Sequence, residues 1–148
     1  MSNTSQGLHI IFFGTSEFGA IVLEKLIQQG IKPVLVVTAP DKPVGRKQIV
    51  APPPVKVVAQ KYDISTFQPA NLAIQARAEI ERYKPEVAVL AAYGQIIPKT
   101  ILDIPKHGFL NVHPSLLPKY RGASPIQAAI LAGEKKTGVA IILMDEQL

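Results

Sequence analysis

The feature that most constrains this chain is the make-up of its apolar runs. Val87 to Ala92 carries no polar residue on either alternate set, and Leu8 to Phe13 is apolar except for His9. A strand that faces water on one side alternates apolar and polar residues. A run apolar on both sets is covered on both faces, which is the habit of parallel sheets with helices above and below. Between these runs lie segments of helical spacing. Phe18 to Gln29 places Ile21, Leu23 and Leu26 at helical intervals and closes at Gly30, and Leu72 to Tyr83 reads as a second helix.

The remaining elements follow the same alternation. Pro33 to Val37, Ile64 to Gln68, Phe109 to His113 and Val139 to Met144 read as strands. Val55 to Lys61, Ile101 to Ile104 and Ile126 to Leu131 read as short helical pieces. Thr38 to Pro54 contains Pro40, Pro43, Pro52, Pro53, Pro54 and Gly45, and is expected to be a long loop without regular structure. Strands separated by helices predict a doubly wound α/β domain with a mostly parallel sheet. At 148 residues, 47% apolar and 18% charged, the chain has material for one core.

Composition also narrows the function classes. With no cysteine there is no thiolate nucleophile, no thiolate metal site and no disulfide. No apolar stretch reaches the roughly 20 residues of a membrane helix, and the polar start Met1 to Gly7 has no signal-peptide pattern, so a cytoplasmic location without membrane partners is expected. The net charge of +5 is ordinary, but its distribution is not. Between Asp41 and Lys61 stand five bases, Lys42, Arg46, Lys47, Lys56 and Lys61, against the single acid Asp41. That segment either follows phosphates or is a solvated excursion.

Three segments lie where chemistry collects in open α/β sheets, at the carboxyl ends of strands. Gly14-Thr15-Ser16-Glu17-Phe18-Gly19 opens the first helix, but its glycines do not fit the dinucleotide fingerprint and no P-loop lysine follows. A tight turn capped by Thr15 or Ser16 is expected there. Tyr93-Gly94-Gln95-Ile96-Ile97-Pro98 follows the Val87 strand and should line the same cleft. Asn111 and His113 stand two apart at the end of a strand, so both side chains point to one side. An amide can donate to a developing oxyanion while an imidazole moves a proton near neutral pH, which together suit acyl transfer to an amine. A strand end at which both merely satisfy backbone groups is the equal alternative on these residues alone. His9, inside a strand, and His107, in a turn, are expected to be structural or solvated. Lys119 and Arg121 are candidates for binding a negative group.

Asn111-Val112-His113-Pro114-Ser115-Leu116-Leu117-Pro118-Lys119-Tyr120-Arg121-Gly122 resembles the signature of the folate-dependent formyltransferases. The resemblance extends from Ile10-Ile11-Phe12-Phe13-Gly14-Thr15 through Ala92-Tyr93-Gly94 to Thr137-Gly138-Val139. Pro40-Asp41-Lys42-Pro43-Val44-Gly45-Arg46 and Pro54-Val55-Lys56 resemble the branch of that family that acts on initiator tRNA. It implies a Rossmann-like fold and formyl transfer from 10-formyltetrahydrofolate to the α-amino group of initiator methionyl-tRNA, with no metal.

By resemblance, Asn111 would stabilise the formyl oxygen and His113 would assist proton removal. Tyr93, Gly94, Gln95 and Ile96 with Ser115, Leu116, Leu117 and Pro118 would hold the folate, and Lys42, Arg46 and Lys47 would meet the tRNA. Branches with a sugar amine or glycinamide ribonucleotide as acceptor, or a folate- or tRNA-binding module without turnover, are the alternatives.

The family's third catalytic residue is an aspartate in a Leu-Asp-(Thr or Gly)-Gly stretch after the last strand, a position that falls just beyond Leu148 here. The resemblance therefore implies a catalytic domain incomplete over 1–148, inactive by itself, and lacking a carboxy-terminal tRNA-binding β-barrel. Asp145 precedes the expected position and does not take the role. A monomer is expected for the longer protein, with pairing through an uncovered last strand the alternative.

Overall fold

The computed structural model describes residues 7–146. Met1 to Gln6, on which the expectation about a signal rests, and Gln147 and Leu148 lie outside the described residues. The element order is β1 (Ile10–Gly14), α1 (Glu17–Gln28), β2 (Leu35–Val37), β3 (Lys42–Val44), β4 (Ile49–Ala51), α2 (Pro54–Lys61), β5 (Thr66–Phe67), α3 (Leu72–Gln75), α4 (Arg77–Arg82), β6 (Val87–Ala91), α5 (Lys99–Leu102), β7 (Phe109–His113), α6 (Pro125–Leu131) and β8 (Ala140–Leu143).

Six strands form one sheet in the order β5-β2-β1-β6-β7-β8. All its pairs are parallel except β7 with β8, which is antiparallel. From β1 the chain steps outward through β2 to β5, then returns to β6 on the other side of β1 and continues outward through β7. The strand order thus reverses between β1 and β6. In a doubly wound sheet the connections leave opposite faces at such a point, and a crevice opens at the carboxyl ends of the strands.

The doubled apolar pattern has the expected cause. Ile11 and Phe13 of β1 pack on one face of the sheet with Leu72, Ala76, Ile80 and Ile101. Ile10 and Phe12 pack on the other with Ala20, Leu23, Val55 and Ala59. Every residue of β1 is buried because helices cover both sides. Helix α1 ends as its sequence predicts: Gly30 takes φ 81, and the N–H of Ile31 reaches the Leu26 carbonyl at 2.9 Å.

Two sequence expectations require correction. The proline-rich segment is not wholly irregular, because β3 and β4 form an antiparallel hairpin with Pro43 opposite Val50. Each strand of an isolated pair has one free edge, so a proline can sit there without losing a ladder bond. Gly45 and Gln48 turn the chain with φ of 70 and 49. The helix expected over 72–83 is two pieces meeting at Ala76. Leu72, Ala76 and Ile80, four residues apart, all remain buried, so the core contact survives the lapse in the helical ladder.

The last strand has the uncovered face expected of it. Ile141 and Leu143 are 61% and 64% exposed, while Ala140 and Ile142 between them are half-buried. Among the described residues no helix is long and apolar enough to cross a membrane.

Candidate active site at the strand ends

The carboxyl ends of β1, β2 and β6 are tied together by one side chain. The Thr15 hydroxyl donates to the Tyr93 carbonyl at 2.6 Å and accepts from the Ala39 N–H at 3.3 Å. Thr15 therefore joins the segments after β1, β2 and β6 instead of capping α1. Ser16 occupies the N-cap position, and its side chain makes no capping hydrogen bond either. Gly14 and Gly19 let α1 sit close to the end of β6. A Cβ on Gly19 would lie 2.6 Å from the Ala91 carbonyl oxygen and one on Gly14 2.8 Å from the same atom.

A cleft of about 620 Å³ opens above this junction. Ser16 and Phe18 border it from the start of α1, Ala92 to Gln95 from the segment after β6, Asn111 to His113 from β7 with Pro114 just after it, and Pro125 to Gln127 from the start of α6. Ala92 and Gly94 adopt φ of 49 and 93, so the backbone after β6 is bent sharply at the cleft wall. A second recess of about 460 Å³ lies against Asn111, His113, Leu117, Pro118, Arg121 and Ile142. Asn111 and His113 border both recesses, as their spacing on one strand predicts. Among the described residues, Arg121 is the one charged residue beside them in either.

The residues expected around a folate divide into three groups. Gly94 and Gln95 border the larger cleft. The Gln95 side chain fixes its loop by accepting from the Leu72 N–H at 3.2 Å and donating to the Pro69 carbonyl at 3.3 Å. Tyr93 borders it too, but its ring is only 2% exposed and packs edge-on against Phe13 with centroids 5.5 Å apart. Its hydroxyl finds no partner among the described residues, and burial raises its pKa from 10.0 to about 12. Ile96 is 90% exposed and lies outside both linings.

In the loop after β7, Leu117 and Pro118 border the second recess. Ser115 is fully buried and donates to the Lys119 carbonyl at 2.9 Å. Leu116 packs over Gly138, where a Cβ would come within 2.5 Å of its side chain.

The hairpin carries Lys42 on β3 and Arg46 and Lys47 in its exposed turn, so none of the three borders the cleft. The hairpin leaves from the carboxyl end of β2, on the same edge of the sheet. Its base is fastened by Asp41, which accepts from Gln68 at 2.7 Å and from Lys56 at 2.9 Å. The Gln68 hydrogen bond and then Lys56 hold the Asp41 carboxyl below its usual range. Lys119 is not a free anion binder, because its ammonium pairs with Glu134 at 2.8 Å. His9 is structural, its Nδ1 lying 3.2 Å from the Tyr83 carbonyl.

Phe18 and Gln127 were not singled out by sequence reasoning. Both occupy the first turns of helices that follow strands ending at the cleft, and that position was the available signal. Among the described residues no group of His, Cys, Asp or Glu side chains is placed to hold a metal ion.

A family model described as formyl transferase matches residues 8–148. A methionyl-tRNA formyltransferase of Halalkalibacterium halodurans is 51% identical over 144 residues, covering 95% of this chain and 45% of the relative. One of Geobacter sulfurreducens is 48% identical over 143 residues, covering 96% and 45%. The chain thus spans somewhat under half the length of these relatives. Among solved structures, a phosphoribosylglycinamide formyltransferase of Bacillus halodurans superposes with a TM-score of 0.71 at 21% identity, covering 93% of this chain and 72% of the other. A formyltetrahydrofolate deformylase of Pseudomonas syringae gives 0.68 at 22%, covering 97% and 48%. These structural likenesses establish the fold, and the family match with the close sequence relatives establishes membership: the chain belongs to the formyl transferase family.

Proposed function

We propose that the chain is the amino-terminal portion of the catalytic domain of a transferase that moves a formyl group from 10-formyltetrahydrofolate to the α-amino group of initiator methionyl-tRNA. The observation that carries this reading is the joint placement of Asn111 and His113 at the wall shared by two recesses. In this reading the formyl donor and the amine acceptor meet at that shared wall.

The amine nitrogen attacks the formyl carbon, and a C–N bond forms as the carbonyl oxygen gains negative charge. The Asn111 amide donates a hydrogen bond to that oxygen. His113 accepts the proton released by the attacking amine. The bond from the formyl carbon to N10 of the folate then breaks, and N10 leaves as an amine after taking a proton. The step requires positioning, oxyanion stabilisation and one proton acceptor, and no metal takes part in it as written.

The 45–51% identical relatives are named methionyl-tRNA formyltransferase, which supports the tRNA acceptor over glycinamide ribonucleotide or a sugar amine. The hairpin is in keeping with it, since Arg46 and Lys47 are exposed in a turn that leaves the sheet at the strand-end side and could follow a phosphate backbone. We further place the third catalytic group, an aspartate, and a tRNA-binding β-barrel in sequence beyond residue 148, so that the 148 residues alone turn over little or nothing.

The test is a formylation assay on the longer protein with methionyl-tRNA and glycinamide ribonucleotide in competition. Preferential formylation of methionyl-tRNA, and a loss of about a hundred-fold or more for Asn111→Ala, is expected. Preference for the ribonucleotide would refute the acceptor assignment. Turnover by the 148-residue chain near that of the longer protein would refute the placement of the third group.

A further inference from the structure

We propose that Glu134, outside both recesses beside Asn111, is a positioning residue that fixes the tautomer of His113 by holding Tyr120. A backbone carbonyl carries no proton, and the Tyr120 carbonyl lies 2.8 Å from His113 Nε2. The ring must therefore donate from Nε2, and in the neutral imidazole the lone pair is then on Nδ1. Which nitrogen takes a proton is decided by where the Tyr120 carbonyl points.

That carbonyl is held in a strained place. Tyr120 has φ 57, in the left-handed region where a residue with a Cβ persists only if its surroundings hold it. The hold comes from one carboxylate. Glu134 Oε1 accepts from the Tyr120 hydroxyl at 2.8 Å and from the Lys119 ammonium at 2.8 Å. The two donors are adjacent in sequence, so together they hold the Tyr120 Cα in place on both its chain and side-chain sides, and with it the carbonyl that leaves toward Arg121.

Glu134 is itself fixed by the end of α6. Gly133 takes φ 68, its N–H reaches the Ile130 carbonyl at 3.0 Å, and the Glu134 N–H reaches the Ala129 carbonyl at 3.1 Å. This double closure is the glycine stop of an α-helix, and it leaves the Glu134 side chain little freedom at its root. The loop between His113 and Tyr120 is closed from within as well, by Ser115 on the Lys119 carbonyl. Helix α6 thus borders the cleft with its first turn and sets the histidine with its last.

Reading Nδ1 as the proton acceptor rests on the proposed transfer reaction, whereas the tautomer itself does not. The test uses the 148-residue chain with 15N-labelled histidine rings, read by long-range 15N–1H correlation at a pH where the imidazoles are neutral. The unaltered chain is expected to show His113 as the Nε2–H form. In Glu134→Ala the Nδ1–H form should rise to a comparable population, and Glu134→Gln, which keeps an acceptor for Tyr120, should restore the Nε2–H form. Tyr120→Phe removes one donor and should shift the ratio in the same direction by less, and it decides the matter if Glu134→Ala does not fold. His9 and His107 report on the fold and should not move. An Nδ1–H form in the unaltered chain would overturn the proposal. So would an unchanged His113 ratio in Glu134→Ala and Tyr120→Phe with the other histidines in place. Neither result depends on turnover, so failure of the transfer reading would leave the tautomer result standing.

Discussion

Strands β1 and β2 are buried along their whole length, whereas β7 has one buried residue followed by four that are half-buried, and β8 alternates half-buried and exposed residues. The first region is covered by helices on both faces, and none of its side chains borders either recess. The second is open, and it carries Asn111, His113 and the loop whose Tyr120 carbonyl meets the His113 ring. A closed half thus supplies the strand ends and a thinner half leaves polar groups within reach of solvent, which a side chain inside a closed core cannot be without losing its hydration.

The sharpest way to break this comparison is to shorten one apolar side chain in each half. Phe13→Ala removes a fully buried ring that touches Tyr93 and Phe109, and should destabilise the chain by about 3–5 kcal/mol in urea unfolding. Leu143→Ala, at 64% exposure, should change stability by about 0.5 kcal/mol or less. Equal losses would mean that the open half is as fully packed as the closed one.

Two glycines sharpen it next. An alanine at Gly19 meets the Ala91 carbonyl at 2.6 Å and Val55 at 3.0 Å, so α1 must back away from β6, at about 1–3 kcal/mol. An alanine at Gly138 meets only the Leu116 side chain, which is half exposed and can move. Gly138→Ala should leave the unfolding midpoint nearly unchanged, yet shift the NMR resonances of the loop from Ser115 to Tyr120. A large loss of stability at Gly138 would place that loop within the structural core.

Titration gives a smaller effect with a definite sign. Burial raises the Tyr93 pKa to about 12 from its ordinary 10.0, so the unfolded chain loses this proton first. Stability linked to Tyr93 is complete below about pH 10 and is lost as pH rises toward 12. Tyr93→Phe should flatten the unfolding profile over that interval and, by removing a buried hydroxyl without a partner, should not destabilise the chain at neutral pH. A steeper profile in the variant would contradict the assignment.

The least effect is expected at the hairpin base. Asp41 is held below its usual pKa, so its contribution is present above the ordinary carboxylate range and is lost as pH falls through the lowered folded value. Amide exchange in β3 and β4 should quicken there and be independent of that titration in Asp41→Asn.

The residues that determine this architecture were legible to different degrees. The central strands could be read because Ile10 to Gly14 and Val87 to Ala91 are apolar at consecutive positions, which only two-sided burial explains. Asn111 and His113 could be paired because a strand repeats every two residues. The β3–β4 hairpin could not be read, since its proline and exposed apolar residues deny it the alternating pattern of a half-buried strand. Nor could the antiparallel direction of β8, because a run of apolar residues carries no sign for direction. The role of Thr15 and the hold of Glu134 on Tyr120 depend on contacts across 78 and 14 positions, which local spacing does not reveal.

We propose that the cleft between the ends of β1, β6 and β7 is a folate site with Asn111 and His113 at its reactive end. Its most direct test is calorimetric titration of the 148-residue chain with a non-reactive 10-formyltetrahydrofolate analogue, repeated on Asn111→Ala and His113→Ala. Saturable binding that either substitution weakens while the fold persists is the predicted result. Binding of equal strength in all three proteins, or none in a folded unaltered chain, would contradict it.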